Sequence, residues 1–212
     1  MYWGVANPRP YTWLERHGDP AQNPRKAPAD LYSNSTLALN PKTGKLVWYY
    51  QHLPGDEWNL DYGDERTLIR TRLNPDPKTV KWISSDLTRG QMRDVIVTVG
   101  EGGAIFTLDR ATGKFLWATP FPFDTPEFHI ADIDRKTGLV LPAWDKLGYS
   151  KPGERHTVCF YNPRGYMPTS YHPGQNALFV PFADECMDQT APGGASPNRV
   201  EAVVRQIGRA HV

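Results

Sequence analysis

Cysteine, long apolar runs and net charge are all scarce in this sequence of 212 residues. Its two cysteines, Cys159 and Cys186, cannot form a structural zinc site by themselves, and its six histidines show no zinc-ligand spacing. No stretch approaches the ~18 to 20 apolar residues of a membrane-spanning helix. The 24 basic residues nearly balance the 23 acidic ones, so the chain has no large net charge that would create a strong electrostatic field. We therefore expect no nucleic-acid partner and no membrane span.

Turn-forming and aromatic residues are abundant instead. The 20 prolines and 18 glycines disfavour a helical bundle, because both residue types interrupt helices. Seven tryptophans and ten tyrosines favour strands. The composition therefore predicts β-structure, with no amphipathic helix of three turns and a long loop from residue 8 to residue 30.

A short pattern occurs twice in full. Residues 37–48 and 106–117 both contain Leu-Asx-x-x-Thr-Gly-Lys-x-x-Trp, and residues 133–138 hold a shorter copy without the Trp. An Asx side chain can close a turn onto the backbone, and Gly44 and Gly113 can supply a positive φ. Each copy thus predicts a β-hairpin with Trp on its second strand. Repeated hairpins indicate a propeller or solenoid, unless two unrelated hairpins share good turn chemistry.

Polar and aromatic residues cluster between residues 49 and 62. If the end of this segment is extended, Asn59 and Asp61 point to one face and offer hard oxygen ligands for calcium or a similar cation. Asp61 is alternatively a general base, and the whole segment is alternatively a solvated acidic loop. Asn7, held extended before a proline, is a further candidate ligand, although alone it marks only a turn.

Two other features remain ambiguous or are excluded. The glycine-rich residues 99–103 precede a predicted strand, whereas a phosphate-binding loop follows a strand and begins a helix, so we reject a nucleotide loop there. Cys159 and Cys186 lie 27 positions apart, and they are compatible with either a disulfide or two buried thiols.

Four stretches, in order, resemble one family. They are residues 3–8, the first hairpin up to Trp48, residues 54–58, and residues 158–188 with both cysteines. Together they are similar to the quinoprotein alcohol dehydrogenases of the methanol and ethanol dehydrogenase type, which use pyrroloquinoline quinone. The resemblance covers about residues 2 to 190.

This resemblance implies an all-β fold that is part of an eight-bladed β-propeller. Residues 1–206 would hold about three blades of four-stranded antiparallel sheets, as a fragment of a longer protein whose signal peptide lies before it. Residues 207–212 look like a translated sequencing adapter, so we expect a non-native tail there. The resemblance also implies a periplasmic protein with a disulfide between Cys159 and Cys186.

Site residues transfer from the family one at a time. Asn7 matches an asparagine that ligates the cation, and Asp61 matches an additional acidic ligand of the lanthanide-type members. Asn59 occupies the position of the family's catalytic aspartate, and an amide cannot accept a proton from a substrate hydroxyl. We therefore predict a metal site at Asn7, Asn59 and Asp61, with Asp61 as the catalytic base.

Three cofactor-binding positions depart from the family. Glu101 stands where a lysine or arginine touches the quinone, and a carboxylate there would repel an anionic cofactor. Gly165 and Tyr166 replace an Asn-Trp pair, so stacking on Tyr166 remains possible but the amide of the asparagine is lost.

The resemblance implies oxidation of a small alcohol. In the family, a base removes the hydroxyl proton, hydride passes to pyrroloquinoline quinone, and a calcium or lanthanide ion acts as a Lewis acid. A cytochrome c-type protein then accepts the electrons. The alternatives are a quinoprotein-like propeller that has lost catalysis and serves as a binding or assembly module, and an unrelated β-repeat protein such as a sugar-binding propeller. The 212-residue chain alone is expected to be inactive and to aggregate.

Overall fold

The structure is a computed structural model, and it describes residues 1–125, 128–159, 161–183, 185–191 and 205–206. The predicted tail at residues 207–212 lies outside the described residues. Within the described part, two short helices accompany fifteen strands. The elements are β1 (Tyr2–Gly4), α1 (Trp13–His17), β2 (Ser35–Leu39), β3 (Leu46–Gln51), β4 (Thr67–Arg72), β5 (Trp82–Ile83), β6 (Met92–Val99), β7 (Ala104–Asp109), β8 (Phe115–Pro120), β9 (Ile130–Ile133), β10 (Val140–Pro142), α2 (Trp144–Leu147), β11 (Arg155–Cys159), β12 (Ser170–His172), β13 (Ala177–Phe179), β14 (Glu185–Thr190) and β15 (Arg205–Gln206).

The strands form five antiparallel sheets. The largest has the order β4-β6-β7-β8-β5, and three-stranded sheets have the orders β1-β2-β3 and β11-β14-β15. The pairs β9-β10 and β12-β13 form two-stranded sheets. The all-β prediction is confirmed. The described sheets do not all have the four strands expected of each blade, and β5 adds a fifth strand to the β4-β6-β7-β8 sheet.

The three predicted hairpins are confirmed. Residues 37–48 lie on β2 and β3, residues 106–117 on β7 and β8, and residues 133–138 join β9 to β10. In the turns, the backbone N–H groups of Gly44, Gly113 and Gly138 donate to the carbonyls of the Asx residues four positions earlier, at 2.8 to 2.9 Å. These three glycines have φ values of 69°, 71° and 75°, in the left-handed region that favours glycine.

Neighbouring hairpins are packed against one another through these turns. A side-chain carbon at Gly113 would lie 2.4 Å from Cε3 of Trp48, so the indole of the first hairpin rests directly on the turn of the second. The turn of the third hairpin meets Phe115 in the same manner, and the Tyr50 hydroxyl donates to the Gly138 carbonyl at 2.8 Å. The absence of a side chain at these turns therefore permits close stacking as well as a positive φ.

One face of the first sheet remains open to solvent. Trp3 and Val47 are 58 % and 64 % exposed, and Tyr49 packs edge-on against the exposed ring of Tyr32 at 4.8 Å between centroids. The opposite face carries Trp48 and Tyr50 towards the second and third hairpins. In a propeller, such a face is normally covered by an adjacent sheet.

The main core lies between these sheets. Aromatic side chains fill it, including Trp58, Tyr62, Trp82, Phe106 and Tyr149, all at most 3 % exposed. A second, smaller cluster surrounds Ile69, Val95 and Val97 on the other side of the five-stranded sheet. None of the helices in the described residues is long and apolar enough to cross a membrane.

The prediction of one long loop from residue 8 to residue 30 was partly wrong. Residues 13–17 form α1, because Thr12 caps the helix and Glu15 bonds back to the Thr12 backbone. The signal was present as Thr-x-x-Glu, but it was hidden among the surrounding prolines.

Candidate functional site

Two buried acidic residues shape the segment that carries the site. The Asp56 carboxylate accepts from the backbone N–H groups of Trp58 and Leu60, both at 2.8 Å. Glu57 accepts from Arg25 Nε at 2.6 Å and from the Trp13 backbone at 3.0 Å. Burial raises the pKa of Asp56 to about 6, although the two backbone donors lower it in part. These bonds hold residues 56–60 as a tight loop.

Asn59 therefore does not lie in a strand. Its φ of 60° places it in the left-handed region, so the condition under which Asn59 and Asp61 would share a face, an extended backbone, is not met. The hydrogen bonds that Asp56 accepts from Trp58 and Leu60 impose this bend, and the composition of the segment does not reveal these bonds. The Asn59 side chain instead lies within hydrogen-bonding range of the Tyr161 hydroxyl, from a segment about 100 residues later.

Asp61 contacts one of the two other candidate ligands, Asn7. Its Oδ1 accepts from the Asn7 backbone N–H at 3.0 Å. The Asn7 amide nitrogen donates to the Pro8 carbonyl at 3.0 Å, which leaves the amide oxygen of Asn7 available as a ligand. The backbone bond thus brings the half-buried residues Asp61 and Asn7 into contact across 54 positions of sequence.

Glu101 is bonded to Asp61 in both directions. The Asp61 N–H donates to Glu101 Oε2 at 3.0 Å, and the Glu101 N–H donates to the Asp61 carbonyl at 2.8 Å. Glu101 is only 3 % exposed, and its Oε1 has no hydrogen-bond partner among the described residues. Burial raises the pKa of Glu101 to about 7; the Asp61 N–H lowers it, and the Asp61 charge raises it again.

The glycine-rich residues 99–103 place Glu101 there. Side-chain carbons at Gly100 and Gly102 would lie 2.6 Å and 2.8 Å from Cδ1 and the hydroxyl of Tyr62. The segment therefore wraps closely around the buried Tyr62 ring, which only glycine permits. It follows β6 and leads into β7 rather than a helix, in agreement with the rejection of a nucleotide loop.

A buried arginine holds the remaining candidate residues close to this centre. Arg164 is 1 % exposed and pairs with Asp64 at 2.6 Å and with Glu65. Next to it, Gly165 has a φ of 57° and donates to Asn162 Oδ1 at 2.8 Å. The adjoining Tyr166 is 80 % exposed. Sequence reasoning missed Arg164, because a lone arginine between Pro and Gly carries no motif.

The charge of Glu101 reaches this exposed tyrosine. It is the main cause of a raised pKa at Tyr166, and the charge of Asp61 adds to it. Asn7 and Glu101 are thus connected to Asp61 by hydrogen bonds, and Tyr166 is connected to Glu101 and Asp61 by charge.

The donor set fits a hard cation better than it fits an anionic quinone. Amide and carboxylate oxygens at Asn7, Asn59 and Asp61 suit calcium or a lanthanide. Within the described part of the chain, no cluster of three or more His, Cys, Asp or Glu side chains could hold a metal ion. The buried carboxylate of Glu101 would repel the negatively charged edge of such a quinone. No lysine or arginine pairs with this carboxylate among the described residues.

Comparison with known proteins now adds to the geometry. Residues 16–120 match the family model "PQQ: Glucose/ethanol/alcohol dehydrogenase, beta-propeller domain". The chain is 29 % identical over 183 residues to the quinohemoprotein alcohol dehydrogenase ADH-IIG of Pseudomonas putida. The chain belongs to the quinoprotein alcohol dehydrogenase family.

Other relatives agree with this assignment. The chain is 32 % identical over 209 residues to the 1-butanol dehydrogenase (cytochrome c) of Thauera butanivorans. A solved europium-containing methanol dehydrogenase superposes with a TM-score of 0.66 at 25 % identity, over 92 % of this chain and 30 % of the other. The alignments cover 85 % and 90 % of this chain, but only 22 % and 25 % of the two curated relatives. The predicted membership of a β-propeller family is thereby confirmed.

The strand register also bears on the cysteines. β11 and β14 pair so that Cys159 lies directly opposite Cys186. Directly opposed residues in antiparallel strands have Cα separations of about 4.5 to 5.5 Å, within the range that a disulfide spans.

Proposed function

We propose that this chain supplies the cation-binding and proton-accepting part of a dehydrogenase that oxidises an alcohol with pyrroloquinoline quinone. The observation that carries the proposal is the contact between Asp61 and Asn7 in a chain of this family. It joins the Asp61 carboxylate to the backbone N–H of Asn7, which lies 54 positions away in the sequence. Pyrroloquinoline quinone, when bound, supplies the hydride acceptor for the reaction.

Asp61 has the chemistry of the proton acceptor. Asn59 cannot take a proton from an alcohol, since an amide is not basic at neutral pH. Asp61 is half-buried, and its Oδ1 is oriented by the Asn7 N–H. In this proposal the Asp61 carboxylate accepts the hydroxyl proton, and Asn7, Asn59 and Asp61 hold the cation. Tyr166 offers an exposed aromatic face, whereas Gly165 contributes only its turn.

The cation is calcium or a lanthanide. One similar structure is of a europium-containing methanol dehydrogenase, and an extra carboxylate at Asp61 favours the more highly charged ion. The substrate is a small alcohol, and a cytochrome c-type protein accepts the electrons, as the name of the 1-butanol relative suggests. We also propose a periplasmic location and a disulfide between Cys159 and Cys186, which their register permits.

A second candidate function follows from Glu101. A buried carboxylate at a quinone-contacting position, with Asn59 in place of the base, favours a propeller that has lost catalysis and acts as a binding or assembly module. In either case, we expect the 212-residue chain alone to be inactive and to aggregate through the open face at Trp3, Val47 and Tyr49.

The test uses the full-length protein that contains this chain. The protein would be titrated with pyrroloquinoline quinone and either calcium or lanthanum, and ethanol-dependent dye reduction would be followed. We expect cation-dependent turnover that falls by about 10²-fold or more in the Asp61→Asn variant. Asp145→Asn, which changes an exposed carboxylate on α2, is the matched control and should retain full activity.

The outcomes separate the two functions. Turnover that is unchanged in Asp61→Asn would refute the role of Asp61 as base. If the quinone fails to bind with either cation, the dehydrogenase proposal fails and the binding-module alternative stands.

A further inference from the structure

A cleft of about 300 Å³ lies apart from the candidate site, and none of the candidate site residues lines it. One of its walls is the segment 84–91, which connects β5 to β6. The opposite wall consists of the turns of the second and third hairpins, at residues 109–116 and 136–137. We call this space the turn cleft. Its volume is at the lower end of the range that holds small ligands in proteins.

The wall formed by residues 84–91 is anchored at both ends. At its start, the Ser84 N–H donates to the Leu116 carbonyl at 2.8 Å. At its end, the Gly90 N–H donates to the Leu73 carbonyl, and the Leu73 N–H donates to the Gln91 carbonyl, both at 2.8 Å. The turn cleft therefore has its shape before a ligand arrives, and a ligand does not have to order this loop.

The floor of the turn cleft is apolar. The buried residues that line it are Leu73, Phe115 and Leu116, which are 3 to 9 % exposed. The partly buried Leu87 also lines the turn cleft, and it packs against the smaller apolar cluster to which Leu73 and Leu116 belong. A hydrocarbon group that covers this floor would be removed from water together with it, which is favourable.

Three exposed basic residues, Arg93, Lys114 and Lys136, line the same cleft. Neither lysine forms an ion pair with any residue that the structure describes. Lys136 acts on the exposed Asp134 only from beyond ion-pair distance, where its charge contributes to a lowered pKa of that carboxyl. Two ammonium groups are therefore available above an apolar floor.

The two acidic residues of the turn cleft are engaged elsewhere. Asp109 Oδ1 accepts from the backbone N–H and the hydroxyl of Thr112, at 3.0 and 2.9 Å, inside the hairpin turn. The other oxygen of Asp109 faces Arg93 Nη1 at 3.9 Å. Asp86 accepts from the Ser85 hydroxyl at 3.4 Å. The lysines thus keep their positive charge unpaired for an incoming anion.

We propose that the turn cleft binds a small carboxylate with an apolar body. The carboxylate pairs with Lys114 and Lys136, because hydrogen bonds between charged partners are stronger than those between neutral ones. The apolar body covers the floor, for which an inorganic anion has no matching part. This inference does not rest on the proposed function, since the turn cleft contains none of the residues of that site.

Three probes separate the two parts of such a ligand. Hexanoate and hexanamide have the same carbon chain, but only hexanoate is charged, whereas acetate keeps the charge without the chain. Their binding to the full-length protein that contains this chain would be measured by titration calorimetry at low ionic strength. We expect hexanoate to bind about tenfold more tightly than hexanamide, because its hydrogen bonds are charge-assisted. It should also bind at least about tenfold more tightly than acetate, because it buries more methylene groups.

Variants locate this binding in the turn cleft. Lys114→Gln and Lys136→Gln should each weaken hexanoate binding several-fold, and the double variant should bind hexanoate and hexanamide equally. Lys45→Gln is the matched control, because Lys45 occupies the corresponding position in the first hairpin turn but does not line the cleft. It should bind hexanoate as the wild type does. All three lysines are exposed, so these changes should leave the fold intact.

The outcomes decide the inference without any turnover. Equal affinities for hexanoate and hexanamide in the wild type, or no binding of hexanoate, would overturn it. A preference for hexanoate that survives in the double variant would also overturn it, since the anion would then bind elsewhere. The same conclusion would follow if Lys45→Gln weakened binding as much as Lys114→Gln does. None of these results depends on whether the protein oxidises an alcohol.

Discussion

Gly113 and Gly44 offer a matched pair for testing how the hairpins stack. Both occupy the same position in the repeated turn, with φ values of 71° and 69° and the same backbone bond to the Asx carbonyl. They differ in their surroundings. A side-chain carbon at Gly113 would lie 2.4 Å from the Trp48 indole, whereas nothing lies within 4 Å of the same position at Gly44.

The expected cost of an alanine follows from this difference. At Gly44, Ala meets only the penalty of a left-handed backbone, about 1 to 2 kcal/mol. At Gly113, Ala meets the same penalty and must also displace Trp48, which adds about 1 to 3 kcal/mol of overpacking. We therefore expect Gly113→Ala to lower the free energy of unfolding by about 1 to 3 kcal/mol more than Gly44→Ala.

Urea unfolding of the full-length protein that contains this chain, followed by tryptophan fluorescence, measures this difference. Because Trp48 is itself the obstacle, the two alanine variants would be repeated in a Trp48→Leu background, where their costs should become similar. Equal costs in the presence of Trp48 would show that the indole does not rest on the second turn, and the stacking of the first two hairpins would be refuted.

Three further predictions concern stability. Arg164→Met should cost about 3 to 5 kcal/mol in urea unfolding, because it leaves Asp64 buried and unpaired, whereas the exposed Arg155→Met should cost under about 1 kcal/mol; similar costs would contradict the anchoring role. Burial lowers the pKa of His129 to about 3, so the contribution of the neutral imidazole to stability is complete above pH 6.5 and is lost as the pH falls towards 3. Over that range the free energy of unfolding of the wild type should therefore fall by several kcal/mol more than that of His129→Leu. Parallel pH profiles of the two proteins would argue against this effect. Non-reducing peptide mapping should find Cys186 bonded to Cys159, and reduction should lower stability by about 3 kcal/mol; free thiols in both peptides would exclude the bond.

Local turn chemistry explains why the hairpins were predictable. An Asx side chain, a glycine with positive φ and a following aromatic strand act within about ten residues, so the sequence alone carries the information. The same applies to the third copy, where Asp134 accepts from the Thr137 N–H at 2.6 Å despite the missing Trp. Strand β6 was likewise predictable, because its run of branched apolar residues is contiguous.

The geometry of the site could not be obtained in this way. The left-handed backbone of Asn59 depends on the hydrogen bonds that Asp56 accepts from the Trp58 and Leu60 N–H groups. The interaction of Asn59 with Tyr161 depends on a segment about 100 residues later in the chain. Alternation along the sequence puts Asn59 and Asp61 on one face only if the backbone is extended, and neighbouring residues alone do not decide that. The hydrogen bonds that the buried Asp56 carboxylate accepts decide the backbone conformation here.

The glycine-rich segment shows how family pattern and local packing answer different questions. The family pattern marks Glu101 as a departure, since a cation is expected at its position. Packing shows that the departure is built into the fold: Gly100 and Gly102 close around Tyr62, and Glu101 and Asp61 exchange two hydrogen bonds. A carboxylate held this firmly cannot move away from whatever occupies the site. An unpartnered buried oxygen on such a carboxylate is costly, so the departure at Glu101 is a cost that the fold carries and that the family pattern alone does not show.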